Sequence, residues 1–136
     1  MALDFAVYLR GLGDKTNFRL NAKTYLRDGW GKSPAFKGLL ATVDGRPAGY
    51  ILYHFGYDTD RAFKIMYMAD LYVREEYRRS GVGQALVERA LEICRKAGAK
   101  RLFWSVYAHN LNARGFYRHI GARYTKDTFY MYLGVR

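Results

Sequence analysis

A chain of 136 residues is long enough for one domain with a single core and too short for two of ordinary size, so one domain over residues 1–136 is expected. Half of the residues are hydrophobic and 17% are aromatic, which excludes a disordered chain, and a net charge of +11 asks for an anionic partner. Charge alone does not choose between nucleic acid, an acidic membrane face and a polyanionic small molecule. One cysteine, Cys94, excludes an internal disulfide framework and fits a reducing compartment, so a cytoplasmic location is expected.

In chain order, "MALDFAVYLRGLG" is interrupted by Asp4 and has no basic flank or cleavage site, so it does not read as a signal peptide. Nowhere does an apolar run approach the roughly 20 residues that cross a bilayer, and no membrane partner is expected. Residues 38–55, "GLLATVDGRPAGYILYHF", are two strand-like runs around Asp44-Gly45, a dipeptide suited to the positive φ angles of a hairpin turn. Residues 63–73, "FKIMYMADLYV", are nearly continuously apolar and predict a central strand buried on both faces. From Val82 to Ala97, Leu86, Ala90, Ile93 and Ala97 recur at helical spacing, and Gly98 supplies a stop. A strand over 100–108, a short helix over 110–122 stopped by Gly121 and a strand over 128–133 complete a mixed sheet with helices packed on it, an α+β fold.

Several motifs fail on their spacing. "GKS" at 31–33 ends like a phosphate loop, but Leu26 stands where the first glycine belongs and Pro34 follows. Gly81 and Gly83 begin a dinucleotide fingerprint that Leu86 breaks. His54, His109 and His119 have no ligand-like spacing, so no metal is expected, and Cys94 on the apolar side of its helix reads as a small buried hydrophobe. "EEYRRSGVGQAL", 75–86, survives because it joins a strand to a helix. Gly81 and Gly83 let an anion approach the backbone, and the amides at the first positions, Val82, Gly83 and Gln84, lack intrahelical partners and carry the positive end of the dipole. Arg78 and Arg79 add charge, and Ser80 is placed to cap the helix or to donate to a phosphate. A merely capped helix with solvated arginines is the competing reading of the same residues.

Arg78-x-x-Gly81-x-Gly83 after a strand ending "DLYV" resembles the acetyl-CoA pyrophosphate signature of the GNAT superfamily of acyl-CoA N-acyltransferases. "NLNARGFYRHIGA" is similar to that superfamily's second element, with Asn110, Ala113, Phe116, Tyr117 and Gly121 at the family's spacings. "LNAKTYLRDGWGKSPAF" and the aromatic strand region resemble the diamine (spermidine/spermine) and thialysine acetyltransferase branch. The resemblance covers residues 20–133 and implies a central mixed, mostly antiparallel sheet with flanking helices, and acetyl-CoA as cosubstrate. It further implies an acetyl group moved to a primary amine of a small molecule by direct attack in a ternary complex. The +11 charge then answers acetyl-CoA rather than nucleic acid. A protein or peptide N-acetyltransferase and a non-catalytic CoA sensor are the alternatives.

Acetyl transfer to an amine needs a neutral nucleophile, an oxyanion stabiliser and a proton for the leaving thiolate. The resemblance places Tyr117 beside the CoA sulfur, and a phenol of pKa about 10 is a fit acid for an alkyl thiolate. It places the backbone around Leu71, Tyr72 and Val73 where the central strand splays to bind pantetheine and the thioester oxygen. Asn110 resembles the residue that bonds the pantetheine or phosphate arm, and a plain helix cap is equally open to it. The family's usual glutamate base is here Ala69. Asp70 is next to it, but strand alternation turns it to the opposite face from Ala69, so it does not simply inherit the role, and Tyr53, His54 and Asp70 stand as candidates through a water chain. Ahead of residue 20 there is room for part of a helix but not for the family's first strand. A homodimer partner is expected to cover the gap, or the chain to be cut short there.

Overall fold

The fold is described from a computed structural model for residues 1–15, 18–126, 131, 133 and 134. Met1–Ser105 and Val106–Arg136 are two compact units and are taken in turn. In the first, helix α1 (Ala2–Gly11) has Asp4 in its opening turn and Arg10 in its last, both favourable to the helix dipole. Helix α2 (Ala22–Gly29) starts at a capping box: the Asn21 side chain accepts from the Thr24 amide at 3.0 Å, and Thr24 Oγ1 accepts from the Asn21 amide at 2.9 Å.

Strands β1 (Lys37–Val43) and β2 (Arg46–Asp58) form the predicted hairpin, with Asp44 at φ 50° and Gly45 at φ 73° making the turn. Strand β3 (Phe63–Val73) pairs antiparallel with β2. Helix α3 (Val82–Lys96) then carries the chain over to β4 (Arg101–Phe103), parallel to β3, and the sheet order is β1-β2-β3-β4. Gly98, at φ 71°, ends α3 as predicted, with the Ala99 amide donating back to the Cys94 carbonyl at 2.9 Å. The strand expected over 100–108 is shorter: β4 pairs only through Phe103.

Helices α1 and α2 cover one face of the sheet, where Phe5, Tyr50, Leu52 and Tyr72 form a core joined by Tyr8, Tyr25 and Phe36. Helix α3 covers the other, where the Cys94 thiol lies 3.7 Å from the Met66 sulfur. Cys94 is buried, as its place on the apolar stripe predicts. Strand β3 is not buried along both faces: Met66, Met68 and Tyr72 are, while Lys64 and Ala69 are exposed. The second unit holds α4 (Leu111–His119), ended by Gly121 at φ 86° with the Ala122 amide donating to the Tyr117 carbonyl at 2.9 Å. The strand predicted over 128–133 lies outside the described residues apart from 131 and 133.

Among the glycines of the strands, Gly49 has the least room for a side chain. A Cβ there would sit 2.7 Å from the Tyr72 carbonyl oxygen and 3.2 Å from Leu86. Gly49→Ala is therefore expected to cost about 2 kcal/mol in urea unfolding, because backbone must move to admit the methyl group.

Candidate active site

One irregularity in β3 decides what its side chains face. Tyr53 pairs with Met68 and Leu52 with Asp70, so Ala69 is an extra residue, a β-bulge, opposite Leu52. Before the bulge, even-numbered residues face α3, as Met66 does toward Cys94. After it they face α1 and α2: Tyr72 packs on Phe5 at 5.6 Å and on Tyr8 at 6.3 Å between ring centroids. Asp70, paired with Leu52 of the same core, shares that face. The expectation that alternation would set Ala69 and Asp70 on opposite faces fails, because the bulge turns both to one side.

Asp70 makes no hydrogen bond or ion pair with any described residue, and burial alone pushes its carboxyl up to about 6. Of the other candidate bases, Tyr53 is on the α3 face, its hydroxyl raised by burial and by Cys94 and lowered by Arg89. That separates it from Asp70. His54 is on the Asp70 face, exposed, its ring 5.3 Å from that of its strand partner Tyr67. Tyr67 in turn has its hydroxyl 3.3 Å from Ser105 Oγ.

Beyond Tyr67 the pairing of β3 with β4 stops, leaving the Met68–Val73 edge clear of β4. The Arg74 amide donates to Ala48 of β2 at 2.9 Å. Alternation therefore points the Tyr72 amide at β2 and the Leu71 and Val73 amides at the open edge. The Val73 carbonyl is on that edge as well, accepting from Arg78 Nε at 3.0 Å. Of the three backbone positions predicted to bind, two present their amides outward.

The loop before α3 has the shape of an anion cradle. Arg79 is at φ 58°, and Gly81, at φ 87°, is the N-cap of α3 with no side chain bonded to the helix. The Ala85 amide donates to the Gly81 carbonyl, so the amides of Val82, Gly83 and Gln84 precede the first intrahelical bond. These groups fit a pyrophosphate. The flanking side chains are less free than the sequence suggests. Ser80 does not cap, since its hydroxyl donates to the Tyr77 carbonyl at 2.5 Å. Arg78 lies over the Tyr8 and Tyr72 rings at 5.0 and 5.9 Å, and Gln84 donates to Glu88 at 2.9 Å. Arg79 is exposed beside the loop.

Gly29, Trp30 and Gly31 of the "DGWGK" segment line an open groove of about 320 Å³ with Tyr25, Lys37 and Gly38, and Trp30 is 70% exposed. In the second unit Asn110 is the N-cap of α4, 6% exposed, accepting from the Ala113 amide at 3.1 Å. Its capping role is thus realised. Tyr117 is half-buried on α4, its ring 5.4 Å from that of Phe116.

The sequence pattern of the Acetyltransferase (GNAT) family matches residues 9–122. The chain belongs to the GNAT acetyltransferase family. Among curated GNAT relatives, thialysine N-epsilon-acetyltransferase of Bos taurus is 29% identical over 113 residues, 77% of this chain and 66% of that protein. L-ornithine N5-acetyltransferase of Arabidopsis thaliana is 35% identical over 80 residues, 59% of this chain and 35% of that protein. The chain thus spans two thirds or less of the length of either. The structure of an integron cassette protein from the V. cholerae mobile metagenome superposes with a TM-score of 0.76 at 24% identity, covering 93% of this chain and 78% of that one. That likeness is one of fold. No helix among the described residues is long and apolar enough to cross a membrane.

What the GNAT pattern alone would not have found is the facing of Asp70, which depends on the bulge. The sign of its effect on stability follows from burial. The folded state holds the Asp70 proton up to about pH 6, whereas the unfolded chain releases it near 3.8. Stability is untouched below pH 4, falls as pH rises between roughly 4 and 6, and stays lower above that. Asp70→Asn is expected to raise stability at pH 7–8 by up to about 3 kcal/mol and to leave it unchanged near pH 3.5, measured by urea unfolding at each pH.

Proposed function

We propose that this chain moves an acetyl group from acetyl-CoA to a primary amine of a small molecule by direct attack in a ternary complex. The observation that carries the reading is Asp70: a carboxylate left uncompensated by any described cation, on the face that the β3 bulge opens toward α1 and α2, with a proton affinity suited to neutral pH. Its role is to take the ammonium proton and leave the acceptor amine neutral. Acetyl-CoA, when bound, supplies an activated acyl group and a thiol leaving group.

The remaining roles follow from charge and geometry. The first amides of α3, with Arg79 beside them, hold the pyrophosphate. The outward amides of Leu71 and Val73 take the pantetheine arm and the carbonyl oxygen of the thioester, where fixed donors stabilise developing negative charge. Arg78, seated on Tyr8 and Tyr72, closes the cofactor side of the strand. The assignments of Tyr117 as the acid for the leaving thiolate and of Asn110 as a further cofactor contact rest on the family likeness. The groove at Trp30 offers an exposed indole to the acceptor, with Lys37 in the same lining favouring an amine that enters neutral. The names of the relatives, acting on thialysine and on ornithine, agree with a small amine. The reading includes a cytoplasmic homodimer, for which β1, at the edge of the sheet among the described residues, offers backbone groups.

The test is to incubate the protein with acetyl-CoA and a panel of diamines, lysine analogues, amino sugars and peptides, following free-thiol release. Release with a small amine is expected. Release with peptides alone would replace the reading by a protein acetyltransferase, and a thermal shift with CoA but no release would replace it by a sensor. Tyr117→Phe is expected to slow turnover by at least about 100-fold while leaving the CoA thermal shift in place, and an unaffected rate would remove its acid role.

A further inference from the structure

Tyr50 of β2 lies on the α1 side of the sheet and is 7% exposed, yet its hydroxyl, fully buried, makes no hydrogen bond. A buried hydroxyl without a partner is costlier than the phenyl ring that would fill the same core, so packing alone does not account for the oxygen. Its position does. Tyr50 pairs with Tyr72 and Leu52 with Asp70, so on this face Tyr50 is the diagonal neighbour of Asp70, within reach of a long aromatic side chain. Only the bulge at Ala69 makes them neighbours. Without it Asp70 would face α3, on the other side of the sheet.

We propose that Tyr50 is a positioning residue for Asp70: its hydroxyl donates to the ionised carboxylate through one bridging water. The surroundings favour that pairing. Burial raises the Tyr50 phenol well above its ordinary range, and the charges that act on it are, in falling order, Asp70, Tyr72, Asp4 and Tyr25. Asp4 on α1 is already engaged by Arg74 and by the terminal amine, at 3.3 and 3.4 Å. Arg78 is held over Tyr8 and Tyr72. His54 shares the face one strand pair further along, beside Tyr67. Asp70 is the carboxylate in this group without a cation, and Tyr50 the donor without an acceptor. A phenol that stays protonated across the working pH range can only donate to a carboxylate, so the bond stabilises the charged form of Asp70. The desolvation that keeps Asp70 protonated is thereby partly offset.

This inference rests on the proposed function only for its meaning, and its test reads Asp70 itself. The Asp70 carboxyl is followed by carbon NMR in protein labelled at aspartate Cγ, with Asp70→Asn to assign the signal. In Tyr50→Phe the Asp70 midpoint is expected to move up by about one pH unit, the size of a lost charge-assisted hydrogen bond. An unchanged or lowered midpoint would overturn the proposal. Site-specific 3-fluorotyrosine at position 50, which keeps the ring and strengthens the donor, is expected to move the midpoint down, and serves if the phenylalanine variant does not fold; no movement there overturns the proposal as well. A displaced midpoint in a protein that releases no thiol with any amine would uphold the pairing and refute the enzyme. Turnover with an undisplaced midpoint would do the reverse.

Discussion

The geometry of this chain depends on one extra residue in β3. A strand assigns its side chains to alternate faces, and a single bulge reverses the assignment for everything that follows. With Ala69 inserted opposite Leu52, Met66 and Met68 belong to the α3 core while Asp70 and Tyr72 belong to the α1 side. The same stretch of strand then loses its neighbour on the other edge, because β4 stops pairing at Phe103. The bulge turns a carboxylate onto one face, and the end of β4 leaves two amides on the neighbouring edge, a juxtaposition suited to acyl transfer at an amine.

That arrangement is maintained against a stability cost. Asp70 would sit more easily in water, and no cation among the described residues pairs with it. The neighbouring core on this face is aromatic: Phe5 and Tyr50 meet edge to face at 6.2 Å, Tyr50 and Tyr72 lie 6.1 Å apart, and Arg78 lies over the Tyr72 ring at 5.9 Å. A carboxyl pushed toward neutral pH by apolar surroundings is a usual mark of acid-base work. Here it is the reason the aromatic core and the proposed chemistry cannot be separated.

Much of the fold was legible in the residues. The hairpin could be read from Asp44-Gly45, α3 from its apolar stripe and Gly98, and α4 from Asn110 and Gly121, since each signal is local. Helix α2 is signalled locally as well, by its Asn21 and Thr24 box. The anion loop was recognisable from glycine and arginine spacing, but the engagement of Ser80 with Tyr77 and of Arg78 with Tyr8 was not, because both depend on how the loop folds back. The bulge was invisible for a physical reason: "MYMADLYV" is apolar at nearly every position, so its pattern carries no register, and pairing with β2 supplies it. The departure at Ala69 thus read as a missing base, whereas the bulge brings the adjacent carboxylate to the same side.

The central claim is that Asp70 supplies the base. The most direct measurement is the pH dependence of kcat/KM for acetyl transfer in the wild-type protein and in Asp70→Asn. An acid limb with a midpoint near 6, set by the half-buried carboxyl, is expected in the wild type, and its disappearance with a much reduced plateau in the variant. An acid limb of the same midpoint in both proteins would contradict it.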